Sequence, residues 1–200
     1  MPVTCRIPPE MEPFSLAFLD LLEHWNRRHS LTALAVEARM EELILDCSAL
    51  FPWVGQLEPG QDVVDFGTGM GIPALVLAAF RKDIQVLAID KTNKKLAFVR
   101  QAALELGLTN VQVIPGRVED LEPLRAALGT AKAVGPLPLL LKWWVRHGAA
   151  QSHFLALKGP AWQQDLPLPG WSFQAHAYRL PTRGERVLVE AWREGSEISA

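Results

Sequence analysis

The stretch Asp65-Phe66-Gly67-Thr68-Gly69-Met70-Gly71 constrains this chain more than any other. Val63-Val64-Asp65-Phe66 reads as a buried strand, and the segment from Pro73 to about Phe80 reads as a helix with proline in its first turn. A backbone that turns so sharply from strand to helix needs residues free to take positive φ, and glycine does so without a Cβ penalty. Missing side chains also let the backbone approach a ligand closely. The dinucleotide-binding fingerprint places its third glycine three residues after the second. Position 72 is isoleucine here, and the third glycine is Gly71. The spacing therefore leans away from a pyrophosphate ligand, and from a nucleotide-dependent oxidoreductase. It leans toward S-adenosylmethionine, which carries no phosphate.

The period of the sequence supports an α/β fold around that loop. Ile84 to Ile89 reads as a second strand, followed by a helix from Asn93 to Leu106 that Gly107 stops. Val111 to Ile114 reads as a third strand, and Leu121 to Leu128 as a short helix. Ala131 to Val134 is a poor strand candidate, short and carrying Lys132. Pro136 opens a helix ending near His147-Gly148, and His153 to Leu157 is a better strand. Ser172 to Tyr178 and Val187 to Trp192 read as a final strand pair around Thr182-Arg183-Gly184. Strand and helix alternating at this spacing imply a mostly parallel, twisted sheet with helices on both faces. Upstream, Phe14, Phe18, Leu21, Leu22 and Trp25 mark one amphipathic helix. Residues from Val36 to Leu50 mark another, with Met40, Leu43, Ile44 and Cys47 on one face. The expectation is one domain over residues 1–200: a helical extension at 10–55 and a ligand-binding core at 60–193.

Composition narrows the function classes. At 49% apolar residues over 200, the chain can pack a core. A formal charge of -2 gives no general argument for nucleic acid, although a local basic patch can still serve RNA. Cys5 and Cys47 form no pairing framework and no metal-ligand spacing, and the five histidines show none either. The apolar stretches are too short to cross a bilayer, and no export signal opens the sequence. The expectation is a cytoplasmic protein with no metal, no membrane partner and no DNA partner.

Three strand ends supply the candidate site. Asp90 ends the second strand 19 residues after Gly71, where an acid can accept hydrogen bonds from both ribose hydroxyls; the other reading is a cap for the next helix. Asp65 either orders the loop amides or receives an ammonium group through water. In Gly116-Arg117-Val118-Glu119-Asp120, Glu119 or the nearby backbone would meet the adenine edge, while Asp120 suits a helix cap. Arg27, Arg28 and His29, with Lys91, Lys94 and Lys95, are candidate phosphate contacts or a solvated face. Trp143 and Trp144 could stack on an unpaired base, although adjacent helical positions point about 100° apart, which puts at least one in the core.

With these residues in view, the chain resembles the ribosomal RNA small-subunit methyltransferase G family, also called glucose-inhibited division protein B. The resemblance runs from about Leu16 to Val189. It rests on Trp25-Asn26 with Leu31-Thr32-Ala33, Asp65 to Pro73, Asp90 with Asn93-Lys94-Lys95, and Glu105 to Val111. Gly116 to Asp120, Ala133-Val134 with Pro136-Leu137, and Leu157-Lys158-Gly159 complete it. It implies a Rossmann-like class I methyltransferase that uses S-adenosylmethionine to methylate N7 of a guanine in a loop of 16S ribosomal RNA. The partner would be small-subunit ribosomal RNA or the 30S subunit. The family's cofactor contacts fall here on Gly67, Ile72, Val118, Glu119 and Lys132. The chain departs from the family at Ser30 (usually asparagine), Leu43 (histidine) and Lys132 (arginine), and in a shorter stretch between Leu121 and Lys132.

The full expected cofactor-binding set is Asp65, Gly67, Thr68, Gly69, Gly71, Ile72, Asp90, Val118, Glu119 and Lys132. No catalytic acid or base is expected, since guanine N7 is already a nucleophile with no proton to lose. Two other readings stand beside this one: a methyltransferase for another RNA site or a small molecule, and a non-catalytic S-adenosylmethionine-binding factor.

Overall fold

The computed structural model describes residues 3–194. Strand β1 (Asp62–Phe66) runs parallel to β2 (Gln85–Asp90) and, on its other side, to β4 (Ala126–Lys132). β3 (Val111–Pro115) extends the parallel set beyond β2, and β5 (Gly148–Lys158) extends it beyond β4. β7 (Gly184–Arg193) then pairs antiparallel with both β5 and β6 (Trp171–Leu180). Among the described residues this gives one seven-stranded sheet in the order β3-β2-β1-β4-β5-β7-β6. The strand order reverses at β1 and β4, which opens a crevice at their carboxyl ends.

Helices cover both faces, as the alternating pattern predicts. One face buries Val63, Val86 and Leu128 beneath α1 (Glu12–His29), α4 (Ala74–Phe80) and α5 (Asn93–Glu105). Phe18 and Leu22 of α1 are fully buried, and the Phe18 ring meets Phe98 of α5 edge-on at 6.0 Å. The other face buries Val64, Phe66 and Phe154 beneath α6 (Leu137–His147). The second upstream helix is one run over residues 36–54. It begins as α2 (Val36–Arg39), passes through a π turn at Met40–Leu45 and a 3-10 turn at Asp46–Leu50, and ends as α3 (Phe51–Val54). Leu43, Ile44 and Cys47 face inward as expected. Pro52 does not end the run, which continues to Val54.

The largest correction concerns the stretch after β3. Residues 121–125 form no helix, Val118–Asp120 is a single 3-10 turn, and the strand begins at Ala126 rather than Ala131. A full strand is therefore present where the sequence offers only a poor candidate, built from small residues. Asp120 caps no helix. β5 is also longer than expected, and His153 lies within it, paired to the Glu190 carboxylate at 2.6 Å.

Candidate active site

The carboxyl ends of β1, β2 and β3 are tied together by backbone hydrogen bonds. The Thr68 amide donates to the Ile89 carbonyl at 2.8 Å, and the Gly116 amide to the Asp90 carbonyl at 3.1 Å. Gly67, Gly69 and Gly71 all have positive φ (67°, 58° and 88°), as a strand-to-helix reversal requires. They differ in surroundings. A Cβ on Gly67 would lie 2.8 Å from Val134 Cγ2, and one on Gly71 would lie 2.6 Å from Leu75 Cδ1. A Cβ on Gly69 would meet nothing closer than 3.9 Å, so only its backbone angle demands glycine.

Asp90 is 9% exposed and both of its carboxylate oxygens are engaged. Oδ2 accepts the Gly69 amide at 2.9 Å, and Oδ1 accepts the Thr92 amide at 2.8 Å. The second bond is an Asx turn leading into α5, whose N-cap is Thr92 rather than Asp90. Each oxygen keeps a second lone pair, so two further donors fit.

These elements enclose a cavity of about 480 Å³. Gly67, Asp90, Val118 and Glu119 line it, together with Ala133, Val134 and Trp143. Lys91, Lys95 and Arg117 add positive charge to the same lining. Trp143 thus stands on the wall of this cavity, and Trp144 is core at 3% exposure. His147 of α6 donates from Nε2 to the Val118 carbonyl at 2.9 Å. Burial holds its pKa below the usual histidine range, which keeps the ring neutral. The His147 support carries no signal in local sequence, whereas the helical step of about 100° already expects one of the two tryptophans in the core.

The other expected residues lie around the cavity rather than on it. Gly69, Gly71 and Ile72 shape the loop, with the Ile72 amide bonded to the Thr68 carbonyl at 3.0 Å. Asp65 and Thr68 are buried behind the loop at 0% and 1% exposure. Burial pushes the Asp65 carboxyl up to about 7, against the hydroxyls of Thr68 and Thr130 and the Ala74 amide. Asp65 Oδ2 and Thr68 Oγ1 both lack a partner of good geometry, which leaves two orphaned polar atoms beneath the loop.

Lys132 lines a second cavity of about 310 Å³, where it is ion-paired to the buried Asp46 carboxylate. The Tyr178 hydroxyl donates to the other Asp46 oxygen at 2.6 Å. Ala133 and Val134 belong to the walls of both cavities. Among the described residues, no cluster of three or more metal-ligating side chains occurs, and no helix is long and apolar enough to cross a membrane.

The donor set suits an amino-acid-bearing nucleoside. The volume lies within the ordinary range for small-molecule sites, roughly 300–1,000 Å³. A strand-end carboxylate with spare lone pairs matches a ribose diol. An apolar wall of Val118, Leu139 and Trp143 matches a purine face, and a loop without Cβ atoms matches a close backbone approach. What the lining offers chemically is position and oriented dipoles.

Comparison with known proteins agrees with this geometry. Residues 13–177 match the family described as rRNA small subunit methyltransferase G. A ribosomal RNA small subunit methyltransferase G of Neisseria gonorrhoeae is 39% identical over 145 residues, covering 72% of this chain and 69% of that one. One of the same name from Methylobacillus flagellatus is 37% identical over 193 residues, covering 88% and 92%. Among solved structures, a SAM dependent methyltransferase from Aquifex aeolicus shares the fold at 18% identity and a TM-score of 0.57, covering 77% of this chain and 92% of that one. The chain belongs to the rRNA small subunit methyltransferase G family.

Proposed function

We propose that this chain transfers a methyl group from S-adenosylmethionine to N7 of a guanine in small-subunit ribosomal RNA. The observation that carries the reading is the single cavity walled by Gly67 and Asp90 at the ends of β1 and β2. Asp90 would hold the ribose hydroxyls. Val118 and Glu119 would flank the adenine, with Trp143 beside its face. The glycine loop would cradle the methionine end, above the orphaned oxygens of Asp65 and Thr68. Lys132 lines the second cavity, which shares Ala133 and Val134 with the first, and its cofactor role would compete with its pairing to Asp46. When bound, S-adenosylmethionine supplies a sulfonium methyl that passes to the N7 lone pair as the C–S bond breaks. The chain's own work is positioning, which can supply up to roughly 7–11 kcal/mol of the barrier.

A cytoplasmic location follows from this substrate. For the RNA, the exposed Arg27 and Arg28 at the end of α1, and Lys91 and Lys94 beside Asp90, are the proposed phosphate contacts. Mass spectrometry of small-subunit ribosomal RNA from cells with and without the gene tests the reading. Loss of one 7-methylguanosine on deletion is the expected result, and an unchanged modification profile contradicts it.

A further inference from the structure

We infer that the second cavity receives the acceptor guanine, and that the Glu42 carboxylate selects it; the inference rests on the methyltransferase reading above. At about 310 Å³ the cavity has room for one base, and its walls come from parts of the fold far apart in sequence. Glu42 and Asp46 belong to the helical run, Lys132 ends β4, Lys158 ends β5, Tyr178 lies on β6 and Arg186 on β7. Ala133 and Val134 line both this space and the first cavity. Ala133 takes a left-handed φ of 55°, a conformation a residue with a Cβ adopts at some cost. Strain held at the wall between two cavities is what a site of transfer between them would retain.

Elimination identifies the recognising group. Asp46 is 1% exposed, so its carboxylate, already holding Lys132 and Tyr178, has no open surface to offer a base. Lys158 is held by the Gly135 carbonyl at 2.8 Å and by Asp165 at 3.1 Å. Arg186 donates to Glu42 Oε1 at 3.1 Å, and Arg183 Nε is ion-paired to the same oxygen at 3.6 Å. Glu42 Oε2 makes no hydrogen bond among the described residues, and the side chain keeps 20% of its surface open.

A carboxylate accepts two parallel hydrogen bonds from guanine, one from N1–H and one from the N2 amino group. Adenine presents a lone pair at N1, which a carboxylate repels. N7 lies on the opposite side of the purine from that edge. A guanine gripped by Glu42 would therefore turn N7 away from Glu42, toward the shared wall. In the transfer, the N7 lone pair forms the new N–C bond and the C–S pair stays on sulfur. No proton leaves, and the purine takes on the positive charge. Holding N7 toward the shared wall positions it for the transfer, so the effect of Glu42 extends to kcat.

The test compares Glu42→Gln and Gly159→Leu with wild type, measuring transfer of labelled methyl to small-subunit ribosomal RNA and affinity for S-adenosylhomocysteine. Gly159 lines the second cavity and not the first, at an ordinary φ of -81°, and a Cβ there meets nothing within 4 Å. Its leucine would fill that space. Both variants are expected to bind S-adenosylhomocysteine within twofold of wild type. Glu42→Gln should lose more than tenfold in kcat/KM with a share of the loss in kcat, and Gly159→Leu should lose transfer. A smaller loss in Glu42→Gln, a loss confined to KM, or full transfer by Gly159→Leu overturns the inference. If Glu42→Gln fails to fold, Gly159→Leu decides alone. Wild-type protein that binds the nucleoside but methylates no RNA contradicts the methyltransferase reading itself, and the inference falls with it.

Discussion

The Gly69 amide donates to Asp90 Oδ2 at 2.9 Å, so the acid that ends β2 also fixes the loop that ends β1. One carboxylate thereby sets the width of the candidate cofactor crevice and supplies its hydrogen-bond acceptors. Asp90→Ala leaves the Gly69 and Thr92 amides without their partner, which costs about 1–3 kcal/mol of stability. Affinity for S-adenosylmethionine should fall by at least thirtyfold. Asp90→Asn should fall between that variant and wild type. Denaturant melts and calorimetric titration on the three proteins check both effects.

Gly67 and Gly69 separate close approach from backbone angle. Gly67→Ala places a methyl group 2.8 Å from Val134, a wall residue of the cavity, at a φ of 67°. It should weaken cofactor binding by more than tenfold. Gly69→Ala meets open space and bears only the strain of positive φ, about 1–2 kcal/mol. It should lose stability with a smaller change in affinity. Parallel titrations of the two variants distinguish the outcomes.

Lys132 neutralises a carboxylate that is 2% exposed. Lys132→Ala strands the Asp46 charge with only the Tyr178 hydroxyl for company. The expected loss is about 2 kcal/mol, below the 3–5 kcal/mol of a fully buried pair, because Lys132 keeps some contact with water. Lys132→Arg keeps the pair and should retain wild-type stability. Urea midpoints measure the difference.

Asp65 gives stability a pH dependence of defined sign. Its carboxyl stands near 7 in the folded chain and near about 3.9 in the unfolded one, so the folded state binds the extra proton between those values. Its contribution is fully present below about pH 4 and is lost as pH rises through 7. Asp65→Asn should abolish that slope and gain most over wild type near pH 8. Urea midpoints between pH 4 and 8 for both proteins provide the check.

Ser30 closes α1 in a left-handed conformation, φ 47° and ψ 54°. Glycine and asparagine tolerate this region better than serine does. Ser30→Gly should stabilise the chain by about 0.5 kcal/mol, visible as a higher urea midpoint, with no change in cofactor affinity.

Much of the crevice is legible in sequence because its parts are local. A glycine run after an apolar strand, and an acid at the end of the next strand, each declare themselves within a few residues. β4 does not. Ala126, Gly129, Thr130 and Ala131 look like poor strand formers, yet the strand is buried between β1 and β5. A Cβ on Gly129 would lie 2.4 Å from Phe154 and 2.7 Å from Trp144, so the bulk of neighbouring elements dictates small residues there. The second cavity was hidden for a related reason. Glu42, Asp46, Lys132, Tyr178 and Arg186 are far apart along the chain, and only the docking of residues 36–54 against the sheet brings them together.

Calorimetric titration of the wild-type protein and of Asp90→Ala with S-adenosylmethionine probes the central claim most directly. Saturable one-to-one binding by the wild type, weakened at least thirtyfold in the variant, is the predicted result. No binding by folded wild-type protein, or equal affinity in the two, would contradict the placement of the cofactor between Gly67 and Asp90.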